Sequence, residues 1–314
     1  MACVSVVIPT FRRPGLLKAA LESCRDQRLD PGHSFEIVVV DNSPESSARD
    51  IVDAFAASTP IRVRYIAETR TGIAMARNTG VAAAGGDFIA FLDDDLVAVT
   101  PDWLQALLRH GLAGAQLVFG PIEPYFEPDA NPALRAVQRL FRRQLDLSDG
   151  ADITRLHSYM STSNSFFDKR ACFATATPFA VELDGLGGED TQVLLDLVRQ
   201  GKKLVWASSA QVKEFVPKSR NTVNYLALRH FRNGQIRSLV HFRAKGPFAL
   251  TGIWWMAVGL AQLGLYGPAS LAMAGVNPEM AADLKMRAYG GAGKVLWLKR
   301  FWHRSYPSAP VTTR

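Results

Sequence analysis

Residues 88–95 read FIAFLDDD, an apolar run from Phe88 to Leu92 that stops at three consecutive aspartates, Asp93, Asp94 and Asp95. A short continuous apolar run has the form of a strand covered on both faces, as parallel strands are when they lie between two helical layers. Moving toward the amino terminus, the same pattern repeats. Thr71 to Ala84 carries helix signals, Ile61 to Ile66 reads as a strand, and Ser47 to Ala57 as a helix. Phe35 to Val40 is a second buried strand ending at Asp41. Pro14 to Arg25 is a helix with Leu16, Leu17, Ala20, Leu21 and Cys24 at helical spacing, and Val4 to Ile8 is a β-branched first strand closed by Pro9. Strands separated by helices of this length predict βαβ units, hence an α/β fold whose mostly parallel sheet is flanked by helices.

Such sheets bind ligands beyond the carboxyl ends of their strands. The polar residues of this chain gather there: Thr10, Phe11 and Arg12 after the first strand, Asp41 after the second, Glu68 and Arg70 after the third, and the aspartate triplet after the fourth. No GxGxxG follows the first strand and no GxxxxGK[ST] occurs, which disfavours a dinucleotide site and a P-loop. A mononucleotide site built on acids remains. Three adjacent carboxylates raise one another's pKa, so they are easiest to hold when a divalent cation such as Mn²⁺ or Mg²⁺ neutralises them and shares a diphosphate. A solvated acidic turn capping the next helix is the alternative. The buried strand before the triplet and Arg77, placed to reach phosphates or aspartates across the site, favour the cation.

A second signal is Gly187, Gly188, Glu189 and Asp190, followed by Val193, Leu194, Leu197 and Val198 at helical spacing. Two glycines ahead of two acids at a helix start admit close approach of a bound ligand, and helix amino termini favour carboxylates. An ordinary acidic cap fits the same residues.

Composition bounds the rest. With 314 residues, 48% apolar and 21% charged, the chain has the make-up of a folded protein. Its net charge of +7 is unevenly placed: residues 1–214 hold 22 basic and 27 acidic side chains, and residues 215–314 hold 14 and 2. A basic tail rich in Trp and Gly beside an acidic catalytic region points to anionic lipid head groups, and no nucleic-acid-binding signature is present. Cys3, Cys24 and Cys172 are scattered without a CxxC pair, so neither a disulfide framework nor a zinc site is implied. The opening apolar run is too short and too β-branched for a signal peptide.

The segments VSVVIPTFRRP, IVVVDNS, TGIAMARNTG, FIAFLDDD and GGED, in this order, resemble the family 2 glycosyltransferases of the GT-A fold over roughly residues 3–240. That resemblance implies a nucleotide-sugar donor, expected as a UDP-sugar, with Pro9, Thr10, Phe11, Arg12 and Asp41 around uracil and ribose and Arg70 and Arg77 nearby. It implies that the aspartates are the metal- and diphosphate-binding element; Asp93 and Asp95 fit the two-acid spacing, and which pair of the three ligates stays open. It places Glu189 and Asp190 on the acceptor side, with Asp190 as the general base of an inverting transfer. Ser161 to Phe167 resembles the acceptor-side segment, in which Asn164 meets the donor diphosphate or the acceptor; an ordinary β-edge loop is the other reading. VKEFVPKSRNTVNYLALRHFRNGQ, residues 212–235, resembles the closing stretch of bacterial exopolysaccharide glycosyltransferases of the succinoglycan type. There Arg229, Arg232 and Gln235 would meet the diphosphate of the donor or of a lipid-linked acceptor, a basic membrane-facing helix being the alternative. Two departures stand out: Glu214 replaces a common His, and RHFRNGQ replaces the QxxRW of processive synthases, which argues against a cellulose-synthase-like polymerase.

Residues 241–314 are expected to form a membrane-associated helical region at the cytoplasmic face of a bacterial inner membrane, behind a catalytic domain at 1–240. From Gly246 to Pro278 the chain runs 33 residues without a charge or histidine. Phe248 to Tyr266 reads as a helix, Gly267-Pro268 as its break, and Ala269 to Val276 as too short to cross a bilayer. This favours a re-entrant or interfacial hairpin over one span, with a buried soluble helical pair as the remaining alternative. Residues 294–304, mixing Lys and Arg with Trp297, Phe301 and Trp302, predict an amphipathic surface helix.

Overall fold

The computed structural model describes residues 1–128, 139–243 and 250–302. Strand β1 (Cys3–Thr10) pairs in parallel with β2 (Ser34–Asp41) on one side and β4 (Phe88–Phe91) on the other, and β2 pairs in parallel with β3 (Arg62–Ala67). Helices α1 (Pro14–Arg25), α2 (Arg49–Ala57) and α3 (Ile73–Ala83) connect them. The alternation of side chains along β1 feeds two cores: Val4, Val6 and Ile8 pack with Leu17, Leu21 and Trp103, whereas Val7 packs with Val38, Ala76 and Phe91. Burying such a side chain contributes about 1.5–3 kcal/mol, which is why the strands read as continuous apolar runs. Pro14 supplies the fixed φ that starts α1, and Leu17, Ala20, Leu21 and Cys24 form its buried stripe.

The sheet continues through β8 (Ser165–Asp168), antiparallel to both β4 and β6 (Leu117–Phe119), and ends with β9 (Leu204–Trp206), giving the order β3-β2-β1-β4-β8-β6-β9. A smaller sheet joins β5 (Leu96–Ala98), β10 (Val212–Val216) and β7 (Ile122–Phe126). The strand order reverses between β1 and β4, and at such a switch point the crossover helices diverge and leave a crevice. Helix α4 (Trp103–Leu112) packs under the large sheet, the single turn α5 (Lys169–Cys172) follows β8, and α6 (Glu189–Arg199) opens with the GGED acids.

Three long helices close the chain: α7 (Val223–Phe242), α8 (Leu250–Met273) and α9 (Pro278–Val295). Two expectations are corrected here. Helix α8 runs through Gly267-Pro268 rather than breaking there. An internal proline loses the bond to residue i−4 and crowds its carbonyl, at about 3 kcal/mol; here that residue is Gly264, with open space at its side, and Ser270 Oγ donates to the Gly267 carbonyl at 2.8 Å. The hairpin is therefore formed by α8 and α9, not by 248–266 with 269–276. Residues 294–302 are not an amphipathic helix either: α9 ends at Val295 and a single turn covers Lys299–Phe301. Residues 303 and 304 of that expected helix lie outside the described residues. The Gln235 amide donates to the carbonyls of Leu296 and Phe301, both at 2.8 Å, and Trp297 stacks on Phe242 at 4.4 Å. The rings of Trp297 and Trp302 thus turn toward protein, while Phe301 stays exposed.

Glycines set the spacing of these helices. A Cβ on Gly293 would lie 1.9 Å from the Phe231 carbonyl, one on Gly234 2.2 Å from the Gly290 carbonyl, and one on Gly259 2.7 Å from the Gly291 carbonyl. Only hydrogen side chains permit backbones this close. Opposite these contacts α8 exposes Ile253, Trp254, Leu260 and Leu271. Among the described residues α8 is the one helix long and apolar enough to cross a membrane.

Candidate functional site

Because β1 and β4 are neighbours, the residues that follow them meet. Thr10 Oγ1 donates to Asp94 Oδ2 at 2.8 Å, and Arg13 Nη1 donates to Asp94 Oδ1 at 3.1 Å and Asp95 Oδ2 at 3.0 Å. Arg220 reaches Asp95 Oδ2 at 3.3 Å from the turn before α7. Asp93 accepts from Ser163 Oγ at 2.5 Å and from Arg77 Nη2 at 3.3 Å. Three arginines from three separate segments thus surround three aspartates, and still leave the carboxyls of Asp94 and Asp95 raised. Burial, then Asp95, pushes the Asp94 carboxyl up to about 7; burial, then Asp93, raises Asp95; burial, then Asp95, pushes Glu214 on β10 up to about 8.

The second group of acids sits across the crevice. Gly187 and Gly188 have φ of +83° and +100°, the left-handed region that glycine adopts without strain. A Cβ at Gly188 would fall 2.7 Å from Ile236 Cγ2, so the close approach these glycines permit is that of α7. Glu189 is buried and its Oε1 accepts from Arg77 Nη1 at 2.5 Å. Asp190 is half-buried in the cavity wall, with Oδ1 accepting from the Thr191 backbone N–H at 2.6 Å. Arg77 therefore ties Asp93 to Glu189. Burial works against its charge, but Asp93, Glu189 and Asp190 outweigh burial and keep the guanidinium protonated.

Both groups line one cavity of about 1060 Å³, at the upper end of the volumes of small-molecule sites. Pro9, Thr10 and Phe11 edge it at one end, and Arg229, Arg232, Arg237 and Lys294 of α7 and α9 at the other. Several expected site residues lie elsewhere. Arg12, at φ +54°, is exposed and paired with Glu45 at 2.5 Å, and its neighbour Arg13 lines the cavity instead. Arg70 is exposed and paired with Glu68 at 2.7 Å. Asp41 is fully buried; its oxygens accept from the N–H of Ser43 and Ala48, from Ser43 Oγ and from Tyr65 OH, while Asn42 faces the cavity. Asn164 is fully buried at φ +50°: its amide donates to the Pro121 and Ala210 carbonyls and its oxygen accepts from Trp103 Nε1. With donors and acceptor all spent on protein, Asn164 is a scaffold residue rather than a ligand contact; Gln235 spends its amide hydrogens on Leu296 and Phe301 and does not line the cavity. Sequence reasoning missed Arg13, Ser163, Arg220, Arg237 and Lys294. A partner such as Arg220, 125 residues from Asp95, leaves no periodic trace.

Among the described residues no group of three or more His, Cys, Asp or Glu side chains is arranged as a ready metal cage. The donor set nevertheless fits a hard divalent ion. Asp94 is the most enclosed, at 6% side-chain exposure, whereas Asp93 and Asp95 keep 22% and 11%; burial and the neighbouring carboxylates raise Asp94 and Asp95, a cost that a bound cation would offset. Two carboxylates with diphosphate oxygens and water complete the usual Mg²⁺ or Mn²⁺ shell.

The family profile for glycosyl transferase family 2 matches residues 5–170, and that for glycosyl transferase family group 2 matches residues 88–281. The chain is 29% identical over 269 residues to the succinoglycan biosynthesis protein ExoM of Rhizobium meliloti (strain 1021), spanning 85% of this chain and 84% of that one. It is 32% identical over 142 residues to the validoxylamine A glucosyltransferase of Streptomyces hygroscopicus subsp. limoneus, spanning 44% of this chain and 30% of that one. Among solved structures, the mannosyltransferase PcManGT from Pyrobaculum calidifontis, in complex with GDP-Man and Mn²⁺, superposes with a TM-score of 0.61 at 17% identity, covering 94% of this chain and 87% of that one. S. aureus TarS 1-349 in complex with UDP gives 0.53 at 15% identity, covering 94% and 90%.

Proposed function

The chain belongs to glycosyl transferase family 2, and from that premise we propose that it is an inverting glycosyltransferase that moves one sugar from a nucleotide sugar, a UDP-sugar in our reading, to a lipid-linked acceptor during exopolysaccharide synthesis. The observation that carries this reading is Arg77, which joins the aspartates after β4 to Glu189 while Asp190 lines the same cavity. A donor diphosphate and an acceptor hydroxyl can then sit on opposite sides of one anomeric carbon.

Pro9, Thr10 and Phe11 border the nucleoside end, and Asp93 and Asp95 would hold Mg²⁺ or Mn²⁺, which supplies positive charge to the leaving diphosphate. Arg13 and Arg220 sit beside those carboxylates and add charge of the same sign. Asp190 takes the proton from the acceptor hydroxyl as that oxygen attacks. The new C–O bond forms on one face, the bond to the diphosphate breaks on the other, and the proton stays on Asp190 until it exchanges with water. Catalysis falls to residues 1–240, and membrane association, at the cytoplasmic face of an inner membrane, to residues 241–314. The exposed apolar side of α8 supports that division.

The test is nucleotide-sugar turnover by the detergent-purified protein. UDP- and GDP-sugars are screened with Mn²⁺ or Mg²⁺, with EDTA, and with and without lipid extract. Release of nucleoside diphosphate that needs metal and rises with lipid is expected. Asp190→Asn should cut transfer by about 10²–10⁴-fold and leave UDP binding intact; loss of UDP binding would remove Asp190 from the role of base. UDP binding without turnover of any sugar would make the chain a nucleotide-sugar-binding subunit.

A further inference from the structure

Helix α3 starts without a cap of its own. Its first turn holds no acid, and the residue before it, Gly72, has no side chain to accept from the free N–H groups at that end. The acceptor comes instead from Asp184, 110 residues away along the chain, whose Oδ1 accepts from the Ala74 N–H at 2.8 Å, the bond that an aspartate at the cap position itself would make. The Met75 N–H also favours that carboxylate. Glycine at position 72 is what lets Asp184 in: a Cβ there would lie 2.2 Å from Asp184 Oδ2. The Gly72 N–H in turn donates to Asn42 Oδ1 at 2.7 Å, and the Asn42 amide donates to the carbonyls of Glu68 and Arg70. The start of α3 is thereby joined to the end of β2 on one side and to Asp184 on the other.

Two more side chains of α3 hold the segment that carries Asp184. Buried Asn78 makes a pair of bonds with Phe179, its amide donating to the carbonyl at 2.8 Å and its oxygen accepting from the N–H at 2.9 Å. Arg77 donates to Glu189. Between these points Leu183 and Leu186 pack with Ile236, Leu239 and Val240 of α7. Asp190 follows directly in the chain. A cap supplied from residue 72 would satisfy the helix end equally well, but a cap supplied from residue 184 also fixes where α6 begins. In a site where a displacement of about 1 Å costs of the order of 10²-fold in rate, that placement bears on catalysis. We propose that Asp184, with Asn78, is a positioning residue: through α3 it registers the base Asp190 against the donor side of the cavity, which α3 and its cap line with Gly72, Ile73 and Arg77. Its effect on rate rests on the glycosyltransferase reading above; the link between α3 and residues 179–190 does not.

The test is sugar turnover at saturating donor, with UDP binding as the control for folding. Asp184→Ala should lower the rate by about 10-fold or more and leave donor KM and UDP affinity unchanged. Asp184→Asn, whose amide oxygen still accepts from the Ala74 N–H, should recover most of that rate. On an Asp190→Asn background Asp184→Ala should lower the residual rate no further, because changes that remove one shared contribution are not additive. A loss that multiplies in the double variant overturns the positioning role, as does a lower melting temperature with the rate at saturating donor unchanged. If Asp184→Ala loses UDP binding, amide hydrogen exchange of the wild type decides. The N–H groups of Ala74, Phe179 and Gly187, bonded to Asp184, Asn78 and the Leu183 carbonyl, should open together with one denaturant dependence; opening at different free energies overturns the link. Separate opening in a protein that turns over sugar would remove the link and leave the enzyme reading standing. Common opening in a protein that turns over none would keep the link and remove the base.

Discussion

The sheet around β1 and the helical trio α7 to α9 are both tightly packed, but by different means. In the sheet, side chains fill the space: Val4, Val6 and Ile8 go to one core and Val7 to the other. In the trio, the absence of side chains brings backbones together at Gly293, Gly234 and Gly259. Apolar periodicity announces the first kind of packing. It is silent on the second, because a glycine reads as a breaker or a loop until its neighbour is known.

The largest effect that tests this contrast concerns the acids the sheet delivers. Asp93→Asn with Asp95→Asn should abolish metal-dependent donor binding while UDP alone still binds, measured by titration with and without Mn²⁺. Metal dependence that survives the double change would move the ion to other residues. Next come the residues read as scaffold. Asn164→Ala strands Trp103 Nε1 and two carbonyls and should cost about 2–4 kcal/mol of stability, with KM for the donor unchanged; a raised KM at unchanged melting temperature would return Asn164 to the ligand. In the trio, Gly293→Ala should cost about 1–3 kcal/mol by thermal melting. Gly264→Ala, with nothing within 4 Å of its side, should be neutral or stabilising by up to about 1 kcal/mol. Equal effects at the two glycines would erase the distinction between the regions. The smallest effect belongs to the exposed pairs: Arg12→Ala and Arg70→Ala should change donor affinity by no more than about 2-fold, because solvent-exposed ion pairs contribute little.

Sequence legibility followed the range of the interactions. Helix α1 was expected at Pro14 to Arg25 and occupies those residues, since its proline start and buried stripe are both local. The aspartate triplet and the GGED acids were expected around one site and do line one cavity. Asp41 and Asn164 were expected to touch ligand, yet their hydrogen-bonding capacity is taken up by Tyr65 and Ala48, and by Trp103, Pro121 and Ala210. A polar residue at a strand end can serve a ligand or a loop, and only the partner decides which. The same holds for Trp297, which the pattern of basic and aromatic residues sent to a lipid surface and which stacks on Phe242.

By itself the sequence determined the α/β class, the order of the first four strands with their helices, the two acidic centres and the apolar run of the C-terminal region. All of these are written in neighbouring residues, through the periods of 2 and 3.6 and through adjacent like charges. Tertiary structure alone decided that Arg77 joins the two acidic centres, that Arg13 rather than Arg12 faces the cavity, that α8 passes through Pro268 to pair with α9, and that Arg237 and Lys294 line the same cavity as the aspartates. Each depends on which distant segments meet. Charge pairing, close backbone approach and desolvation are properties of that meeting, and no single stretch of chain carries them.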